Sequence, residues 1–369
     1  SLDDAPFIGS PLVPYKQIVH DRLNLEIARG CTRGCRFCQA GILYRPVRER
    51  SLEKLKELAE NSLKRTGYSE LSLSSLSTGD YSSIVELLGS LMGECAPQKI
   101  AVSFPSLRSE TLTPALIEEI KKVRKTGFTI APEAGTQRLR DIINKGITED
   151  EILTTVKNVF DAGWNAIKLY FMVGLPCETE EDLQGIVDLS RRVVSLARRG
   201  GKQRKVNVSV STFVPKAHTP FQWVSQIGQD EMRKKQEFLK QEIRRLGLNF
   251  KWQNVSMSYL EGIFSRGDRR LSKVIEKAWL LGCRFDAWSD QFEWDHWQQA
   301  LGGIDEHFYT TRNRGKDEIF PWDHINTGVD RSFLWEEFQR GLAGDFTPDC
   351  RVSNCQQCGV CPGKKPPIR

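Results

Sequence analysis

From Leu23 onward, short apolar runs alternate with stretches of helical spacing. Leu23 to Ala28 reads as a strand that stops at Arg29-Gly30. Ser51 to Arg65 places Leu52, Leu55, Leu58 and Leu63 at helical intervals. Glu70 to Ser77 alternates as a strand does and ends at Thr78-Gly79-Asp80. Ile84 to Leu91 is helical, and Ile100 to Phe104 is a strand ending at Pro105-Ser106. Thr113 caps a helix that opens on Pro114 and runs to about Lys125. Gly127 to Ala131 is the next strand, and Thr148 with Glu151 forms a capping box for a helix to about Ala162. Ala166 to Val173 is a strand, Thr179 caps a helix over Glu180 to Arg198, and Val206 to Phe213 is a sixth strand.

Six strand–helix units in series imply a parallel sheet with right-handed crossovers. Six strands are too few to close the barrel that eight make, so the expected α/β fold is an open partial (βα)6 TIM-like barrel. Chemistry in such sheets collects at the C-terminal ends of the strands, where the Gly- and Pro-containing turns fall. Beyond Gly228 the pattern changes to a polar amphipathic helix over Asp230 to Leu246, then a Trp-rich stretch broken by glycines. The expected division is therefore a linker at 1–20, a core at 21–228 and a mostly helical C-terminal region at 229–369. Pro6, Pro11 and Pro14 fit a linker that follows a preceding domain.

Composition narrows the class. Hydrophobic residues make up 39% and charged residues 27%, as in a soluble globular chain. No apolar run approaches the ~18–20 residues that span a bilayer, so no membrane role is expected. The 53 Lys and Arg exceed the 47 Asp and Glu by too little to imply nucleic acid on their own. Basic residues do cluster at Arg191-Arg192, Arg198-Arg199, Lys202 to Lys205 and Arg266 to Arg270. Seven of the ten cysteines lie in two tight groups, Cys31, Cys35, Cys38 and Cys350, Cys355, Cys358, Cys361. Grouped cysteines in a long chain point to metal ligation in a reducing compartment, hence the cytoplasm.

The first group reads Cys31-Thr-Arg-Gly-Cys35-Arg-Phe-Cys38. Three thiolates on a glycine-containing loop can hold three irons of a 4Fe-4S cube and leave the fourth open. Zinc prefers four tetrahedral ligands, and neither a His nor a fourth Cys lies nearby in the sequence. The CxxxCxxC spacing with an aromatic before the last Cys resembles the signature of the radical S-adenosylmethionine (SAM) superfamily.

That resemblance implies S-adenosylmethionine bound at the open iron and cleaved to a 5′-deoxyadenosyl radical, with a reductant such as flavodoxin or ferredoxin. It makes Cys31, Cys35 and Cys38 the cluster ligands and Phe37 an adenine contact. It assigns Thr78, Gly79 and Asp80 to the methionine amino group, although only Gly79 keeps the family's Gly-Gly-Glu pattern. Glu133, after the fourth strand, resembles a ribose-binding residue of methylthiotransferase-like members. Ser103 and Arg138 are further cofactor candidates. The fifth-strand segment, with Lys168 and Gly174, resembles the stretch whose backbone meets the adenine. The chain also looks like a narrower group of radical SAM proteins in which a cobalamin-binding-like domain commonly precedes the barrel. Cobalamin would enter only with such a domain.

The second group, Cys350-x4-Cys355-x2-Cys358-x2-Cys361-Pro362, fits an auxiliary iron–sulfur cluster or a structural zinc. Arg266, Asp268, Arg269 and Arg270 form a charged turn suited to a phosphate or carboxylate, or to a surface ion-pair cluster. Three functions follow in order of preference. The first is a radical enzyme that modifies a macromolecule, RNA or a ribosomal component. The second is a radical enzyme of a small metabolite, cobalamin-dependent methylation included. The third is a non-enzymatic zinc scaffold that binds nucleic acid.

Overall fold

The computed structural model describes residues 1–16, 18–103, 113–121, 128–199 and 204–361. Phe104, Pro105, Ser106, Lys125, Gly127, Lys202 and Pro362, named above, lie outside them.

Two parallel sheets carry the fold. The first orders β1 (Leu23–Glu26), β4 (Glu70–Ser74) and β5 (Ala101–Ser103) side by side. The second orders β6 (Phe128–Glu133), β7 (Ala166–Val173), β8 (Lys205–Thr212) and β9 (Asn249–Trp252). A short antiparallel ribbon pairs β2 (Ala28–Arg29) with β3 (Arg48–Glu49). Helices α1 (Gln39–Leu43), α2 (Leu52–Thr66), α3 (Ile84–Cys95), α4 (Pro114–Lys121), α5 (Gln137–Ile142), α6 (Glu149–Asp161) and α7 (Glu180–Arg198) alternate with the strands. The capping box forms: Glu151 accepts the Thr148 N–H at 2.7 Å while the Thr148 hydroxyl accepts the Glu151 N–H at 3.2 Å.

Alternation gives the sheets two unlike faces. Ile167, Leu169, Phe171 and Val173 of β7, and Val206, Val208 and Val210 of β8, are buried in the main core against the helices. The intervening positions of these strands are polar or partly open, among them Lys168, Tyr170, Ser209 and Ser211. A sheet with both faces under helices would read as continuous apolar residues; this one keeps one face for something other than packing.

The six expected strands are present, and β9 is a seventh parallel strand, pairing Phe250 with Val208. Helix α8 (Gln229–Arg245) packs on α7, and its Met232, Leu239 and Ile243 join the main core with Phe250 and Val255. The strand–helix series and its core therefore run past residue 228, where the sequence pattern alone marked a change. The mostly helical remainder holds α9 (Val255–Ser265), α10 (Ser272–Leu280), α11 (Trp294–Leu301), α12 (Glu306–Tyr309) and α13 (Arg331–Ala343). At the other end, Leu2 is buried, and Arg50 donates to the Leu2 carbonyl at 2.6 Å, so part of the expected linker is docked.

The C-terminal region does not stand apart. Arg36, wholly buried, reaches Glu337 of α13 at 3.2 Å, the Asp345 carbonyl at 2.7 Å and the Thr347 hydroxyl at 3.1 Å. Its remaining Nη donates to the Asp141 and Ile142 carbonyls at the end of α5, both at 3.0 Å. Asn144 clasps Thr347 by both its backbone groups, at 3.0 and 2.8 Å. Arg36→Met should leave the buried Glu337 carboxylate with only the half-exposed Arg340, at 3.5 Å, as a cation and lower the unfolding free energy by ~3 kcal/mol. Chemical denaturation measures it, and adding Glu337→Met should restore part of the loss. A single variant as stable as the parent would refute this role.

Candidate active site

The cysteine loop leaves β2 and ends in α1. Gly30 opens it at φ +95°, where a Cβ would meet the Tyr44 carbonyl oxygen at 2.3 Å, so only glycine fits. Gly34 turns the loop again at φ +72°. Cys35 is buried, with Cys31 and Cys38 half-buried. Cys38 caps α1, its Sγ accepting the Gly41 N–H at 3.3 Å. Burial pushes the Cys38 thiol up, and the neighbouring Cys35 adds to the shift. Among the described residues, no three His, Cys, Asp or Glu side chains gather as a single-ion site. The donor set suits a cluster, in which each thiolate takes its own iron.

Glu133 ends β6 in a left-handed conformation, φ +68°, beside a bulge in the β6–β7 pairing. Its carboxylate meets Lys145 Nζ at 3.2 Å, with both side chains largely buried. This ion pair lies close enough to Cys38 to contribute to the shift of its thiol. Phe37 packs against the apolar group formed by Ala134, Leu175, Phe213 and Phe221, just past the ends of β6, β7 and β8. Ser103, at the end of β5, has a buried hydroxyl without a partner among the described residues, and so has Thr212 at the end of β8. Thr212 escaped sequence reading because a Ser/Thr-rich strand looks like solvent-facing alternation.

Other candidates are engaged differently. Thr78, Gly79 and Asp80 form a 3-10 turn after β4, with Thr78 fully buried. The Asp80 carboxylate takes Nε of Arg33 at 2.9 Å, the Ser77 hydroxyl at 2.6 Å and Arg351 Nη2 at 3.3 Å. Burial opposes its ionisation, but the Arg33 guanidinium outweighs that and Asp80 is held at about 2. Arg138, half-exposed, bonds Asp182 and the Cys177 carbonyl, so its guanidinium is taken up locally. Lys168 Nζ donates to the Tyr170 hydroxyl at 2.6 Å on the open face of β7. Gly174 turns the chain at φ +85°, and its N–H donates to both oxygens of Glu178, at 3.1 and 3.0 Å. A cavity of about 510 Å³ opens beside Gly174 and Leu175.

The second cysteine group lies beside the first. Arg351, next to Cys350, bridges Asp349 at 2.7 Å and Asp80, and Arg33 of the first loop approaches Asp349 at 3.6 Å. Burial drives the Cys350 thiol up to about 11, with Asp349, Cys358 and Cys355 contributing. Cys361 is raised by burial, with Cys358 and Cys355 contributing. Cys358 packs against a cluster containing Ile42 of α1. Pairings between positions some three hundred residues apart carry no local signal, and sequence reading missed them.

Residues 25–190 match the Radical SAM superfamily. An uncharacterised protein of Methanocaldococcus jannaschii is 38% identical over 254 residues, 68% of this chain and 53% of its own length. The tRNA-2-methylthio-N(6)-dimethylallyladenosine synthase of Desulforamulus reducens is 26% identical over 197 residues, 49% of this chain and 41% of its own. The ribosomal protein uS12 methylthiotransferase RimO of Clostridioides difficile is 26% identical over 209 residues, 52% and 45%. The chain spans about half the length of these curated relatives.

Because the folded carboxyl of Asp80 lies below its ordinary value, its stabilisation is complete above about pH 4 and lost as pH falls toward 2. Asp80→Asn should cost about 2 kcal/mol at neutral pH. Chemical denaturation at a series of pH values should show that gap closing as the medium is acidified; a gap independent of pH would overturn the assignment.

Proposed function

Because residues 25–190 of this chain belong to the radical SAM superfamily, we propose that the protein reductively cleaves S-adenosylmethionine to a 5′-deoxyadenosyl radical and thereby modifies a macromolecule, RNA or a ribosomal component. One observation carries the reading: a three-thiol loop at a strand end, within electrostatic reach of the Glu133–Lys145 pair. Cys31, Cys35 and Cys38 would hold a 4Fe-4S cluster, whose chemistry is one-electron reduction of a sulfonium bound at its open iron.

This chain's residues bind and orient. The Glu133 carboxylate, paired with Lys145, receives ribose hydroxyls. Phe37 and Leu175 offer the adenine an apolar wall, and the orphaned hydroxyls of Ser103 and Thr212 gain partners when the site fills. The turn at Thr78–Asp80 meets the methionine end through its backbone, since the Asp80 side chain is spoken for. Lys168 stands on the open face as a cation for the methionine carboxylate. Gly174 and Arg138 shape the β7 turn from behind.

Relatives named for acting on tRNA and on ribosomal protein uS12 support a macromolecular substrate. Cys350, Cys355, Cys358 and Cys361 form a second metal centre, and a flavodoxin- or ferredoxin-type donor supplies electrons. Iron, sulfide and zinc analysis of anaerobically prepared protein decides the occupant of that centre.

The test is anaerobic reconstitution with iron and sulfide, followed by assay for 5′-deoxyadenosine with fractionated RNA and ribosomes. Replacing Cys31, Cys35 or Cys38 by Ala should abolish product. Glu133→Gln should raise the S-adenosylmethionine KM about tenfold through loss of charge-assisted bonds. Product formation that survives removal of all three thiols would sink the proposal.

A further inference from the structure

Arg36, Arg50 and Arg140 are buried with their N–H groups spread over carbonyls and carboxylates. Arg266 is different. It is 2% exposed; one Nη donates to the Val224 carbonyl at 2.7 Å, while Nε and the other Nη have no partner among the described residues. Arg314, 7% exposed, repeats the pattern. Its Nη2 donates to the Phe308 and Tyr309 carbonyls at 3.3 and 3.2 Å, and its Nη1 has no partner among the described residues. Burial lowers this guanidinium to about 10. Both side chains line one cavity of about 670 Å³.

Buried guanidinium N–H groups without acceptors are destabilising, because desolvation is not offset. The rest of the wall does not supply the missing acceptors. Asp268 is engaged by Arg270 at 2.6 Å and Glu318 by Arg312 at 2.9 Å. Glu318 comes only to 3.7 Å from Arg314 Nε. Exposed Arg269 adds another cation to the rim. Five guanidinium groups thus face two carboxylates, and three of their buried N–H-bearing nitrogens lack acceptors.

Forked donors around a space this size match the oxygens of a phosphate. On the rim, Phe308 lies between Arg270 and Arg312, whose guanidinium carbons stand 4.8 and 4.4 Å from its centroid. Arg314 also lines the cavity beside Gly174, so a phosphate held here would lie next to the ends of the β-strands.

We propose that Arg266 and Arg314 form a phosphate-binding site, rimmed by Arg269, Arg270 and Arg312, that anchors a backbone phosphate of the RNA to be modified. The source of the phosphate rests on the macromolecular reading above; the phosphate site itself does not.

Thermal unfolding of the full reconstituted chain tests the pocket with inorganic phosphate as probe, against chloride at equal ionic strength. The midpoint should rise with phosphate concentration, as ligand linkage requires. Arg266→Met should melt no lower than the parent without phosphate and should lose that rise. The exposed variant Arg269→Glu guards against a misfolded core variant. It should keep the parental midpoint and weaken binding of a single-stranded oligoribonucleotide about tenfold at low salt, measured by fluorescence anisotropy. A parent midpoint indifferent to phosphate, or an Arg266→Met protein with the full response, overturns the site. A phosphate response with no oligoribonucleotide binding overturns RNA as the source. Loss of radical chemistry with the phosphate response intact counts against the proposed function alone.

Discussion

A guanidinium shut away from water has to find an acceptor for nearly every N–H it carries. Arg36 does so by drawing three distant segments together: the end of α5, the Glu337 face of α13 and the chain at Asp345 and Thr347. It sits between Cys35 and Cys38, so what it anchors is the cysteine loop itself. The geometry of the three thiols therefore depends on the docking of residues three hundred positions later. Asn144 repeats the logic, bonding Gly34 of the loop at 3.2 Å while clasping Thr347.

On that frame the two cysteine groups become neighbours. Arg33, Asp80, Asp349 and Arg351 alternate in charge, and each carboxylate is shared by both cations. Such a network in a largely desolvated place is sensitive to the loss of any member, since the others keep their charge. It also explains why Asp80 does not behave as a ligand-facing carboxylate: its lone pairs are used in joining the β4 turn to the second cysteine group. A metal centre at Cys350 to Cys361 would thus be mechanically continuous with the first loop.

Much of this was legible in the sequence where the cause is local. Strand periodicity, the Thr148–Glu151 capping box and the three-cysteine spacing are read from residues a few positions apart, and the structure places the strands and the capping box as expected. Glu133 was proposed from the resemblance of its segment to a ribose-binding stretch, and the structure places it at the end of β6. What was illegible has non-local causes. Strand β9 is four residues, Asn-Phe-Lys-Trp, with one buried side chain, and it becomes a strand through pairing with β8. The Trp-rich stretch looked like a separate unit, yet Trp322, Phe333 and Leu334 cluster with Ile42 and Trp223. Nothing in their spacing indicates which surface they cover.

Charge shows the same division. Arg191 and Arg192 are ordinary solvated residues, paired with Asp188 and Glu149. Arg266 belongs to an equally basic run, but burial without acceptors separates it from them, and only the fold reveals that. The short turn Pro220–Trp223 with Val224 then ties the pieces together. Phe221 and Val224 pack in the group that receives Phe37, and Trp223 packs with Ile42 behind the cysteine loop. The Trp223 carbonyl accepts the Arg314 N–H at 2.9 Å, and the Val224 carbonyl holds Arg266. One apolar turn after β8 thus supports both the cysteine loop and the arginine pocket, so a shift in either is felt through the same few side chains.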